Sequence, residues 1–303
     1  MRLLIGVDGS PCSLAAVNLA GRLVDANDEI ALYYSPVEIP LHGDATTNHA
    51  MLDRARQALG EAVFEESRNH LPAAIRDKVQ TILGTQKPIR GVIAAVQEWR
   101  ADVVCVGSRG LGPIQSMLLG SVASAVVQSV QVPVLVAREL SQPQRAGLRV
   151  LLAYDRSNAA TQAAALSGFA WPAGSECKIV DVIDALPGPL PAWMEQRARS
   201  ADAEAMSEAW VHEHQVERQE CVERLQTFRQ SLPKEFRDCQ PVVAEGHPAE
   251  QILRVAAEAP TDLIVVGKTS RNLYQRVMLG STSRTVLQQA ECSVLVVPLH
   301  EAP

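Results

Sequence analysis

The residues best placed to do chemistry lie in one short run, GSRGLGPIQSMLLGS (107–121), which fits G-x2-G-x9-G-S. Gly107 and Gly110 let backbone approach a ligand with no Cβ in the way. Gly120 and Ser121 open a helix, where unpaired N–H groups and the helix dipole favour phosphate oxygens. The Ser121 hydroxyl adds a donor. Asp8, at the end of the first apolar run, falls at the same crevice of an α/β sheet. The chemistry this pattern suggests is nucleotide binding. The same glycines also suit plain turns, and from local residues alone both readings stand.

These residues are positioned by a pattern that occurs twice. VVCVGSRGLGPIQSMLLGSVASAVVQSVQVPVLV (103–136) is matched by LIVVGKTSRNLYQRVMLGSTSRTVLQQAECSVLVV (263–297), with Gly107 and Gly120 each 160 positions before Gly267 and Gly280. Likewise RLLIGVDGS (2–10) is matched by LRVLLAYDRS (148–157). The chain is therefore a tandem duplication. It divides into residues 1–140, a polar linker at 141–147 (SQPQRAG), and residues 148–303.

In the first copy the periodicity predicts strands at 2–7, 30–34, 78–83, 103–106 and 134–137. It predicts helices at 14–23, 51–70, 88–99 and 121–129, with Ser10 or Ser13 as a cap and a loop over 36–50. The second copy repeats this, with strands at 177–182, 241–245, 262–266 and 294–297. Its helices are predicted at 158–170, 193–230, 248–258 and 281–290. The fold class is α/β: two tandem Rossmann-like doubly wound domains, each a five-stranded parallel sheet with helices on both faces. Ligands of such sheets bind at the carboxyl ends of the strands, where Asp8 and Gly107 fall.

Composition excludes several classes. The 303 residues are 47% hydrophobic and 20% charged, ordinary for globular domains. A formal charge of −6 with scattered basic residues argues against nucleic acid. No apolar run is long enough for a membrane span. The six cysteines form no CxxC pair, and MRLLIGVDGS lacks the apolar region of a signal peptide, so a reduced, cytoplasmic protein is expected.

With these motifs in view, the chain resembles the universal stress protein family, whose nucleotide-binding members carry G-x2-G-x9-G-[ST]. VDGS (7–10), the GSV opening of the helix at 121 and the closing PVLV match. So do AYDRS, EGHPAEQIL (245–253) and DLIVVG in the second copy. The resemblance implies strand order 3-2-1-4-5 in each domain and an adenine nucleotide, ATP or a relative, with or without Mg2+. It implies no catalytic constellation and no resident metal, so any ATP hydrolysis would be slow and incidental. It implies pairing of the two domains through their last strands, and a homodimer of chains is expected.

Carried over residue by residue, Asp8 would sit by the adenosine, and Ser35 would offer its main chain to the adenine. Gly107 and Gly110 would line the ribose and α-phosphate; Gly120, Ser121 and Val122 would hold the outer phosphates. Gly9, Ser10 and Arg109 complete the set. Ala123 stands where the family often has Ser or Thr, which removes one expected donor. A second candidate site comprises Asp155, Val182, Gly267, Lys268, Gly280, Ser281, Thr282 and Ser283. There Ser270 replaces the second glycine, while Lys268 and Arg271 either reach phosphates or lie solvated at the surface. The alternative to nucleotide binding is a stress-response interaction module without a ligand, and the second copy leans towards it.

Other signals carry less. VVGKTS (265–270) imitates the end of a P-loop but lacks its first glycine. His214, Glu217 and Cys221, with His212 nearby, share helical spacing that suits a metal, against the plainer reading of a solvated charged helix. Cys12 near a helix start could be reactive; a small residue in a first turn is the simpler reading. Cys105 and Cys292 belong to buried strands, and Trp193, Trp210, Val222, Leu225 and Phe228 read as packing residues.

Overall fold

The apolar runs form strands because parallel strands of a doubly covered sheet are buried on both faces. The computed structural model describes residues 1–36, 45–110, 119–140, 142–183, 200–268 and 279–299. The first domain runs β1 (Arg2–Gly6), α1 (Pro11–Gly21), β2 (Glu29–Tyr34), α2 (Ala45–Asn69), α3 (Ala73–Arg76), β3 (Gln80–Leu83), α4 (Pro88–Glu98), β4 (Val103–Gly107), α5 (Ser121–Ser129) and β5 (Val134–Ala137). The second runs β6 (Arg149–Ala153), α6 (Ala159–Ser167), β7 (Glu176–Ile183), α7 (Ser200–Arg229), a 3-10 turn (Lys234–Phe236), β8 (Gln240–Glu245), α8 (Pro248–Glu258), β9 (Leu263–Gly267), α9 (Ser281–Gln289) and β10 (Ser293–Val297).

The strands make one ten-stranded sheet of order β3-β2-β1-β4-β5-β10-β9-β6-β7-β8. Within each domain the order is 3-2-1-4-5 and every pair is parallel. At the seam, β5 and β10 run antiparallel, with Val134 opposite Val296, Leu135 opposite Leu295 and Val136 opposite Val294. Side chains alternate between two cores. Leu3, Ile5, Cys105, Leu135, Leu295 and Val265 pack on one face with α1, α6 and α7. Leu4, Val104, Val136, Val294 and Ile264 pack on the other with α4, α5, α8 and α9. Each core crosses the seam, so the apolar surface of one domain is completed by the other.

Helix starts follow local chemistry. Ser10 caps α1, accepting from the Ser13 N–H at 3.2 Å, and Pro11, Pro88 and Pro248 take first-turn positions where no intrahelical N–H bond is required. The loop expected at 36–50 is corrected in its second part: residues 45–50 belong to α2. The breakers Pro36, Pro40 and Gly43 all precede Ala45. Two elements escaped the periodicity: α3 and the 3-10 turn. Each follows a proline, Pro72 or Pro233, and each buries one apolar residue, Ile75 or Phe236. One turn is too short to show a period. Of the linker, Arg22 Nη2 holds the carbonyls of Arg145 (2.6 Å) and Ala146 (2.8 Å), and the Ala170 N–H bonds Leu23 O across the domains at 2.9 Å.

The duplication preserves one backbone N–H to carboxylate bond at the amino ends of the strands, and the second copy adds an ion pair to it. In the first domain the Arg2 N–H reaches Asp102 at 2.7 Å, while the guanidinium stacks on Trp99. In the second, Arg149 grips Asp262 through Nε (2.9 Å) and Nη2 (2.8 Å), and its backbone N–H adds a third bond at 2.9 Å. Burial pushes the Asp262 carboxyl up, but the Arg149 bonds outweigh it and hold it below the ordinary carboxylate range. A depressed carboxylate contributes stability that is full above its unfolded pKa and is lost as pH falls through the folded value. Asp262→Asn is expected to cost on the order of 2–4 kcal/mol at neutral pH. It should also flatten the acid limb of urea stability below about pH 4; an acid limb identical to the parent's would refute this role for Asp262.

Candidate functional site

The carboxyl ends of β1 and β4 meet the start of α5 in the first domain. Gly9, at φ +78°, turns the chain after β1, and the Asp8 carboxylate accepts the Ser10 N–H at 2.9 Å. The Asp8 N–H bonds Ser13 Oγ at 3.3 Å. Ser10 is buried as the cap of α1, and its hydroxyl points towards Arg109 O at 3.5 Å. Ser10 therefore shapes the loop rather than facing solvent. Ser35, buried after β2, donates its hydroxyl to Gln86 O.

The two glycines of the loop do different work. A Cβ on Gly107 would sit 2.6–2.8 Å from the backbone of Cys12 and Ser13, so this glycine lets α1 pack against β4. A Cβ on Gly110 would collide with the Asp8 carboxylate, so this glycine brings exposed backbone against the acid. At the far end of the loop, Gly120 N–H bonds Ser108 O at 2.7 Å, and the first intrahelical bond of α5 runs from Ser124 to Gly120 at 3.0 Å. No side chain caps α5. The N–H groups of Ser121, Val122 and Ala123 thus precede the first helical bond, beside an exposed Ser121. Asp8, Gly9, Gly107, Arg109, Gly110, Gly120, Ser121 and Val122 all border this end of the sheet. Residues 111–118 of the motif lie outside the described residues.

The second domain keeps the frame and changes the contents. Gly280 N–H bonds Lys268 O at 2.9 Å, as Gly120 bonds Ser108. Gly267 abuts the Asp155 carboxylate, which accepts from Ser157 N–H at 3.0 Å and Oγ at 2.7 Å. Arg156 takes the place of Gly9, and its Nε lies 3.8 Å from Asp181, which also receives Cys221 Sγ at 2.9 Å and faces Arg224 at 3.5 Å. Val182 lies near the end of β7, one residue beyond Asp181. Ser281 is exposed and Thr282 half-buried at the start of α9.

Two expectations for this copy are corrected. Lys268 neither reaches towards a phosphate nor lies at the surface: it is 3% exposed, and its Nζ donates to Gln128 O at 3.1 Å and Val130 O at 2.7 Å in the other domain. Ser283 is buried, and its hydroxyl donates to the carbonyl of Gly267. The corresponding Ala123 is also buried. Ser270, Arg271 and Trp193 lie outside the described residues.

The discounted signals resolve in physical terms. His214 Nε2 lies 3.2 Å from Glu245, and Cys221 turns inward to Asp181, so that face of α7 packs on β7 and β8 rather than standing in solvent. Glu217 is exposed, and among the described residues no cluster of three metal-ligating side chains occurs. Leu225 and Phe228 are buried, and Val222 and Trp210 are half-buried. Burial pushes the Cys105 thiol far up and the Cys292 thiol up to about 11, as suits inert strand residues. No helix among the described residues is long and apolar enough to cross a membrane.

The model of the universal stress protein family matches residues 1–138 and again residues 148–298. The chain belongs to the universal stress protein family. It is 27% identical over 303 residues to a universal stress protein of Mycolicibacterium smegmatis, covering 97% of this chain and 96% of that protein. It is 26% identical over 328 residues to one of Mycobacterium tuberculosis, covering 99% and 96%. A universal stress protein structure from Archaeoglobus fulgidus superposes with a TM-score of 0.59 at 20% identity, covering 99% of this chain and 98% of that one, a likeness of fold. The tandem arrangement of two universal stress protein domains is thus shared along the whole length.

The glycine geometry separates stability from site shape. Gly107→Ala drives a Cβ into backbone that cannot rotate away and is expected to cost about 1–3 kcal/mol in urea denaturation. Gly110→Ala meets the end of one carboxylate and should cost well under half as much. Equal losses would contradict the assignment.

Proposed function

We propose that the first domain binds an adenine nucleotide, ATP or a close relative, and that binding rather than turnover is its work. The observation that carries this reading is the juxtaposition of Asp8, the Gly110 backbone and the uncapped start of α5 within one loop. A Cβ on Gly110 would strike the Asp8 carboxylate, so glycine lets the loop backbone and the acid sit side by side at the strand ends. The free N–H groups of Ser121, Val122 and Ala123 suit phosphate oxygens, and the helix dipole adds to their pull. Asp8 suits a ribose hydroxyl, and Ser35 lies at the neighbouring strand end for the base. Mg2+ would enter with the phosphates. The serine hydroxyls beside Asp8 are engaged by the backbone, which favours holding a nucleotide over activating a nucleophile; hydrolysis would be slow and incidental.

For the second domain the observations favour the ligand-free reading. Its crevice is lined by its own Arg156, Asp181 and Arg224, and its loop lysine is directed into the other domain. The chain would then act as one nucleotide-responsive domain and one partner domain, with occupancy changing contacts to other proteins.

Denaturing the freshly purified chain and identifying the released small molecule by mass spectrometry tests this. About one adenine nucleotide per chain is expected, and Gly110→Val should release none. At a free ligand concentration of about a thousand times Kd, added ATP should stabilise the chain by roughly 4 kcal/mol. No released nucleotide, together with no thermal shift at millimolar ATP, would replace this reading with the interaction module.

A further inference from the structure

We propose that Lys268, a residue of the second domain, is a positioning residue for the nucleotide site of the first, acting through α5. The inference rests on the first-domain site just described.

Lys268 follows the last glycine of β9, where the first domain has Ser108, and its backbone keeps the same bonds: its N–H goes to Val297 O at 2.7 Å as Ser108 goes to Ala137 O at 2.8 Å. The side chain departs from that equivalence. It crosses the seam and places Nζ on the carbonyls of Gln128 and Val130 at the end of α5. Among the described residues no carboxylate pairs with it. The last carbonyls of a helix have no intrahelical partners and carry the negative end of its dipole, so they are what this buried cation has for compensation. Burial lowers the lysine's pKa, as expected for a charge held without an acid.

Helix α5 has nine residues, about 13 Å of rise. Its first N–H groups border the proposed phosphate site and its last carbonyls hold Lys268. The two ends belong to one rigid rod. A cation fixed at the far end keeps the helix from fraying or shifting on the sheet, and so holds the Ser121 and Val122 amides in place. It also adds positive potential along the axis towards the phosphates.

The arrangement is matched from the opposite side by a residue at an unrelated position. Arg138, directly after β5, sends Nη2 to Leu287 O at 2.7 Å, near the end of α9, and Nη1 to Cys292 O at 3.1 Å, in the turn before β10. Its backbone N–H takes Ser293 Oγ at 3.0 Å. Each domain thus sets a cation, the buried Lys268 or the half-buried Arg138, on carbonyls at the carboxyl end of the other's loop-following helix. Lys268, the first residue after Gly267 of the second domain's motif, engages its neighbour's helix.

The test uses the full chain with Lys268→Met and Lys268→Arg, reading MgATP affinity by calorimetry and, without nucleotide, hydrogen exchange along α5. Lys268→Met is expected to speed exchange at the end of α5 and to weaken MgATP binding by roughly three- to tenfold. Lys268→Arg, which keeps charge and donors, should recover most of the affinity. If Lys268→Met does not fold, Lys268→Gln, which keeps a donor without the charge, takes its place with the same expectation. Unchanged affinity in a folded variant, even a less stable one, would overturn the proposal while leaving the first-domain site standing. Failure of the unmodified chain to bind MgATP would instead remove the reading of the site itself.

Discussion

The structure depends on one seam, where β5 and β10 meet antiparallel and two cations, the half-buried Arg138 and the buried Lys268, cross between domains. Strands such as VLVA and SVLVV are apolar on both faces, and an open edge of that kind would recruit any other strand. Pairing them turns two five-stranded sheets into one and removes both edges at once. The cations then fix how the halves sit. A seam of aliphatic side chains tolerates sliding, because dispersion contacts are undirected. A guanidinium or ammonium held on particular carbonyls does not, since displacement by one residue would leave a buried charge without compensation.

The same seam accounts for the way the copies diverged. A duplicated domain supplies two equal edge strands, and both halves need the contact these make. Where the first copy has Gly9 at φ +78° the second has Arg156, and where the first has Ser108 the second has Lys268. Each change puts a long cation where the first copy keeps small residues. Arg156 faces Asp181 within its own domain, and Lys268 serves the neighbour. The strands, the helix starts at Gly120 and Gly280, and the backbone bond from an arginine N–H to an aspartate at the amino ends are the same in both copies.

Much of the frame was legible from residue order. Helices 121–129 and 248–258 have the predicted bounds, because glycine or proline marks their starts and apolar spacing marks their extent. The parallel pairing followed from apolar runs alternating with helical ones, and the order 3-2-1-4-5 from the family resemblance. The short turns after Pro72 and Pro233 were hidden, since a single buried residue has no period. For the site, the spacing of Gly107, Gly110, Gly120 and Ser121 located the loop but did not distinguish their tasks. That distinction needs three dimensions: Gly107 faces the backbone of α1, and Gly110 faces Asp8. The destination of Lys268 was hidden more deeply. Beside a glycine loop a lysine reads as a phosphate ligand, and nothing in linear order tells that the end of α5, about 140 positions earlier, lies within reach. Polar loop residues in a duplicated fold have two environments to choose from, their own crevice and the neighbour's flank, and sequence equivalence suggests the first by default.

A helix with a cation held at its carboxyl end is also better suited to hold an anion at its amino end. The two charges lie along one dipole, and each favours the orientation the other requires. In a single domain that cation would have to come from a flexible side chain or from solvent. Here it comes from a neighbouring domain in the same chain, whose loop residue is fixed by the strand it follows. On the proposed reading, tandem linkage therefore does more than cover two edges: Lys268 supports the neighbour's crevice rather than its own.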